Sequence, residues 1–207
     1  MATIVDLTLA LTETTPPFPG DPPLQITRIA DYSKGDDYRL SQIALSAHLG
    51  THLDAPAHFI ENGKSIDELP LEALVGPAQI LECLTASAVV PAHLENRIVK
   101  NCRRLLLKTT ASPSVSSRPT AWLAPEAASL LVESGIELVG IDSPSIDNMA
   151  SAEAPCHKIL LGNDVFIVEN LLLSSVSVTS GELICLPLRI TGIEGSPVRA
   201  ILRYESE

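Results

Sequence analysis

Three of the chain's five histidines, His48, His52 and His58, fall within fourteen residues, "SAHLGTHLDAPAHF" at positions 46–59, and Asp54 stands among them. A neutral imidazole is the commonest protein ligand for transition metals. Two such rings and a carboxylate can hold a divalent cation and leave positions open to water, as catalytic sites require. His48, His52, Asp54 and His58 are all even-numbered, so an extended chain carries them on one face. A helix would stack His48 on His52 instead, but Gly50, Thr51, Asp54 and Pro56 are poor helix material, and Pro56 disfavours the α conformation at Ala55. The expectation is a strand end entering a loop on which the imidazoles converge. If His48, His52 and Asp54 hold metal, His58 is free to take a proton from an activated water and pass it to a leaving group.

A second pair lies downstream, where His157 and Glu169 flank "KILLGNDVFIV". With Asp54 bridging through its two oxygens, this pair would hold a second cation; by chemistry alone the one-metal and two-metal versions stand equal. Cys156 adjoins His157 and is a candidate ligand, although a buried thiol is the commoner role. Phe18 sits in the stiff, turn-rich "TTPPFPGDPP" (14–23) as either a hydrophobic plug or a substrate contact, and the frequency with which aromatics are buried favours the plug.

Nine apolar or alternating runs are available to position these residues. They are 3–11, 24–30, 38–47, 78–84, 103–109, 136–141, 164–169, 183–188 and 198–204, and all read as strands. The helix signal is strongest in "PEAASLLVESG", with Pro125 in the first turn and Gly135 as the C′ residue. Shorter helices are expected at 91–99 and 156–162, and a turn at 69–74. The mixture is α/β or α+β with sheet dominant. The Ser, Thr and Pro-rich 109–119 reads as a loop, a candidate lid.

At 207 residues, 45% of them hydrophobic, the chain suits one domain, 1–207, with its own core. A net charge of −11 argues against nucleic acid, and the adjacent Arg103 and Arg104 read as an isolated, solvated pair. The N-terminal stretch has no basic segment before its apolar residues, and no run reaches membrane-spanning length. With four scattered cysteines, this fits a cytoplasmic protein with reduced thiols and no membrane partner.

"HLGTHLDAPAH", preceded by "FPGDPP" and followed by "GIDSPSID" (140–147), His157 and "VEN" (168–170), resembles the bacterial cyclase family. That family includes the metal-dependent kynurenine formamidases (arylformamidases) and the isatin hydrolases. The resemblance covers nearly the whole chain. It implies an α/β fold of the swivelling type, a mixed β-barrel-like sheet with flanking helices, assembled as a homodimer or homotetramer. It implies one divalent metal on His48, His52 and Asp54 and a second on Asp54, His157 and Glu169, Zn²⁺ first and Mn²⁺ as the alternative, with His58 as proton donor and acceptor. Phe18 matches a substrate-contacting position where kynurenine formamidases typically carry Trp. The implied reaction is hydrolysis of a small aryl amide such as N-formylkynurenine, by metal-activated water. The rivals are hydrolysis of isatin, another cyclic amide or a lactone; a binding protein that holds a small molecule without turnover; and a closed structural zinc site.

Overall fold

The computed structural model describes residues 1–85, 87–111 and 121–205. The candidate lid therefore lies, from residue 112 onward, outside the described residues. Strands β1 (Ala2–Asp6), β4 (His52–Asp54), β5 (Val75–Glu82), β7 (Arg104–Lys108), β9 (Leu138–Ile141), β10 (Phe166–Glu169), β11 (Ser180–Pro187) and β12 (Gly195–Glu205) form one mixed sheet. Its order is β1-β12-β11-β5-β7-β9-β10-β4, and β4 pairs back onto β12, so seven strands close a barrel and β1 lies outside the ring. The closure depends on the length of β12, whose residues 195–197 pair with β4 and whose residues 201–205 pair with β1. β5, β7, β9 and β10 run parallel; the other ring contacts are antiparallel. β2 (Gln25–Ala30) and β3 (Leu40–Ala44) form a separate ribbon, and β6 (Ala88–Val89) pairs with β8 (Trp122–Leu123).

All nine expected strands are present, with shifted ends. β1 stops at Asp6 because that carboxylate captures the Thr8 amide, after which the Leu9 amide donates to Thr51 Oγ1. Among the described residues the α-helices are α1 (Leu71–Leu74), α2 (Pro125–Glu133) and α3 (Pro155–Leu161). Gly135 follows α2 at φ 74°, the left-handed conformation that suits a C′ glycine. The helix expected over 91–99 is only a 3₁₀ turn, Pro91–His93, because Asn96 at φ 59° breaks any continuation.

Alternation along the strands divides the core in two. Leu53, Leu106, Leu138, Val168, Leu183 and Leu202 fill the barrel. Leu105, Leu107, Val139, Ile141 and Ile167 point outward under α2 and α3, against Leu131 and Leu160. β7 is thus apolar on both faces, as a strand covered on both sides must be. Truncating Leu106 to Ala would cost about 2–5 kcal/mol.

The arginine pair departs from expectation. Arg103 is solvated and held by Glu137 at 2.6 Å, but Arg104 shares the inward parity of Leu106 and is buried. Cys156 is also buried, its thiol donating to the Leu123 carbonyl at 3.0 Å, so it serves packing and not ligation.

Candidate metal centre

Strand β4 is three residues long, and its pleat does the sorting. Leu53 enters the barrel while His52 and Asp54 face outward. The antiparallel register with β10 sets Glu169 opposite His52 and Ile167 opposite Asp54, which brings the two segments of the sequence motif together. β10 ends there because Asn170 turns left-handed at φ 57°, a conformation asparagine tolerates. His157 arrives from α3. The expected strand end entering a loop is present, with β4 followed by a 3₁₀ turn at Pro56–His58.

The five expected ligands converge on the Asp54 carboxylate. Its Oδ1 is 2.8 Å from His48 Nδ1 and 3.4 Å from His52 Nε2; its Oδ2 is 3.5 Å from His157 Nε2. Glu169 spans the same rings, with Oε2 3.5 Å from His52 Nε2 and Oε1 3.2 Å from His157 Nε2. Two imidazoles have their tautomers set from behind. His52 Nδ1 donates to the Gly50 carbonyl at 2.9 Å, and His157 Nδ1 to Asp147 Oδ2 at 2.7 Å, which turns both Nε2 atoms toward the carboxylates. The Ile146 amide donates to Glu169 Oε1 at 2.6 Å and fixes that side chain too.

His48 and His58 form a looser wall. Their rings stack with centroids 4.0 Å apart, and His58 packs edge-on to Phe59. His48 lies directly over β12, where a β-carbon at Gly195 would come within 2.7 Å of its Cε1; only glycine leaves that space. On its far side His48 Nε2 stands 3.3 Å from Glu194 Oε1.

The electrostatics suit a cation. Asp54 and Glu169 are both buried, and burial alone would raise the Asp54 pKa, but His52, His157 and His48 hold it well below the usual carboxylate range. Burial likewise opposes protonation of His157, yet Asp147, Asp54 and Glu169 raise it well above the ordinary value. His48 is raised in the same way, burial being outweighed by Asp54. His58 goes the other way. Burial pushes it down to about 4, Asp54 opposing and the neighbouring imidazoles assisting.

Asp54 Oδ2 is buried without a hydrogen-bond partner, a costly state that a bound cation would relieve; His48 Nε2, also without one, faces the Glu194 carboxylate instead. One ligand atom each from His52, Asp54 and Glu169 lies within 4.8 Å of the others, and the same holds for His48, Asp54 and His58. Nitrogen and carboxylate donors, backed by second hydrogen bonds, fit a divalent metal.

The cluster opens into a cavity of about 650 Å³. Phe18 and Met149 stand in its apolar wall, with His58, Phe59 and Ser145 nearer the cluster. Phe18 is 42% exposed and lines this space, so it is not a buried plug. Asp147 was not singled out from the sequence, although it closes the motif "GIDSPSID". Besides His157 it accepts the Cys156 and His157 amides, capping the start of α3. Glu194 and Gly195 carried no signal, since their relation to His48 exists only through the β4–β12 closure.

The family model described as "Putative cyclase" matches residues 5–148. Solved structures share the whole architecture. One, a potential metal-dependent hydrolase with cyclase activity, is 27% identical, with 100% of each chain covered and a TM-score of 0.86. Isatin hydrolase A from Labrenzia aggregata is 26% identical, over 99% of this chain and 94% of its own, at TM-score 0.85. A predicted metal-dependent hydrolase from Bacillus stearothermophilus is 27% identical, over 98% of both chains, at TM-score 0.85.

Proposed function

The chain belongs to the cyclase family, and from that premise we propose that it is a metal-dependent hydrolase of a small aryl amide, N-formylkynurenine being the leading candidate. The observation that carries the reading is the Asp54 carboxylate, buried between three imidazoles with Oδ2 lacking a hydrogen bond, directly behind the His48, His52, His157 and Glu169 side chains that line a cavity with an aromatic wall.

In this reading His48, His52 and Asp54 hold one cation and Asp54, His157 and Glu169 a second. The directions of the two Asp54 oxygens support a bridging role. Zn²⁺ is the first choice and Mn²⁺ the alternative, since imidazole and carboxylate suit both. Bound there, a divalent metal polarises the substrate carbonyl and lowers the pKa of water towards ~7.

The side chains supply the rest. His58, with its pKa pushed down to about 4, is neutral near pH 7 and ready to accept a proton. It would deliver that proton to the departing nitrogen, and the wall it shares with Phe59 limits water around it. Phe18 and Met149 offer apolar surface to an aryl ring, which orients the amide over the cluster.

A second reading, isatin-type ring opening, is favoured by the 26% identity to isatin hydrolase A across almost the whole chain. The experiment is metal analysis of protein purified without added metal, then assay of formanilides, isatins and lactones on the same preparation. Turnover of a formanilide alone supports the first reading; isatin alone, the second. Stoichiometric metal with no turnover of any class would leave a binding protein, and unfolding on chelation would leave a structural site.

We also propose a homodimer or homotetramer. The β2–β3 ribbon presents the cross-strand pair Ile26 and Ile43 to solvent, and an isolated two-stranded ribbon is marginal in water. Sedimentation of the full chain tests this, and a monomer at micromolar concentration would refute it. Among the described residues no helix is long and apolar enough to cross a membrane. A cytoplasmic site of action remains part of the proposal, resting on four free, buried cysteines.

A further inference from the structure

The barrel has a second hollow at its other end. β7, β9 and β10 are parallel, with Arg104 level with Leu138 and Leu138 level with Phe166, so Arg104 stands where these strands begin and Glu169 where they finish. Next to Arg104 lies a cavity of about 610 Å³. Lys100, Arg103 and Arg104 stand in its wall, and Glu72 is its one carboxylate among the described residues.

Arg104 is 3% exposed and has no ion-pair partner among the described residues. Its Nε donates to the Ala73 carbonyl at 2.9 Å and its Nη1 reaches the Pro77 carbonyl only at 3.4 Å; Nη2 has no acceptor among the described residues. A nearly buried side chain whose guanidinium has no carboxylate in contact, Glu137 acting on it only through space, keeps N–H groups that could engage an anion. The neighbours do not supply one. Glu137 is engaged by Arg103, and Lys100 is exposed and has no ion-pair partner among the described residues. In a chain with net charge −11, a hollow with Lys100, Arg103 and Arg104 in its wall against one carboxylate, Glu72, among the described residues runs against the overall balance.

We propose that this hollow binds a small oxyanion, a carboxylate or phosphate group, with Arg104 as the inner donor and Lys100 at the mouth. The guanidinium fork matches two coplanar oxygens, and the carbonyls of Ala73 and Pro77 hold it in place from behind. The site is distinct from the metal centre, since no residue lines both cavities.

The test is titration of the full chain with inorganic phosphate, and separately with acetate, at constant ionic strength, followed through backbone amide resonances. Saturable shifts at residues 75–79 and 99–104, with 48–58 unmoved, are expected. The stronger of the two probes identifies phosphate or carboxylate as the preferred group. Arg104→Gln should weaken binding at least about ten-fold, by loss of charge-assisted hydrogen bonds. Lys100→Gln should weaken it about two- to five-fold, as an exposed charge does. Shifts confined to residues 48–58, shifts that never saturate, or equal affinity in Arg104→Gln and the parent would overturn the proposal. Should Arg104→Gln fail to fold, the exposed Lys100 decides: unchanged affinity in Lys100→Gln also overturns it.

Discussion

The floor and the wall of the metal centre use the same residue type in opposite ways. On the floor, His52 and His157 each donate Nδ1 to a fixed acceptor, the Gly50 carbonyl and Asp147, and Glu169 is tied to the Ile146 amide. On the wall, the His58 ring makes no hydrogen bond among the described residues and is held by stacking on His48 and packing on Phe59. Anchoring holds Nε2 facing a fixed point, which suits a ligand. Burial keeps the His58 ring neutral, and its nitrogens, without a hydrogen bond among the described residues, are free to exchange protons, which suits acid–base work. His48 belongs to both regions, bonded to Asp54 and stacked on His58.

The comparison breaks first at the floor. His52→Ala should lose metal and activity together, because the remaining donors of that site are one imidazole and one shared carboxylate. Elemental analysis and rate on one sample check this, and full metal with full rate would remove His52 from the ligand set. At the wall the two properties should separate. His58→Ala should keep its metal but lose about 10²- to 10⁴-fold in kcat. A metal-free His58→Ala protein would move His58 to the floor, where one ligand atom each of His48, Asp54 and His58 lies within 4.8 Å of the others.

A smaller effect is expected one step behind the floor. Asp147→Asn removes the charge that orients His157 and caps α3, and outer partners of this kind cost about 10- to 100-fold in metal affinity or activity. Titration with a competing chelator measures the affinity, and an unchanged value would mean that α3 alone positions His157. The carboxamide can still accept a hydrogen bond, so the fold should survive. Comparing Asp147→Asn with Asp147→Ala separates the lost charge from the lost cap.

How legible these regions were in the sequence follows the range of the contacts. The β-strands could be read because apolar alternation is local, and His48, His52 and Asp54 stood out as candidate ligands because their residue types and spacing form a compact motif, whereas His157 and Glu169, more than a hundred residues downstream, were joined to them firmly only through the family resemblance. β4 was harder. Three residues with a single apolar side chain, Leu53, carry almost no periodic signal, and its strand character comes from pairing with β10 on one side and β12 on the other. Asp147, Glu194 and Gly195 act on the histidines only through tertiary closure. Arg104 was misread for a related reason: a charged residue at the start of an apolar run looks solvated until the barrel turns its parity inward.

The smallest expected effect lies farthest from the floor, at Phe18. Its ring is 42% exposed, is carried by a proline-stiffened loop, and shares the cavity wall with Met149 and His58. No hydrogen bond or charge is at stake, so a substitution acts only through shape and apolar area. Phe18→Trp enlarges the ring facing the cavity. If the natural substrate is a kynurenine-type amide, the larger surface should raise kcat/KM for N-formylkynurenine, by no more than about ten-fold, the scale of small changes in apolar contact. For a smaller ring that already fits, the added bulk narrows the space and kcat/KM should fall by a similar factor. Metal content should not change in either case, because Phe18 touches none of the ligands' anchoring bonds. The sign of the change therefore reports the size of the substrate, independently of any argument about the metal. Identical kcat/KM for both substrates would show that the wall at Phe18 does not meet the substrate, and the specificity surface would then have to be sought across the cavity at Met149.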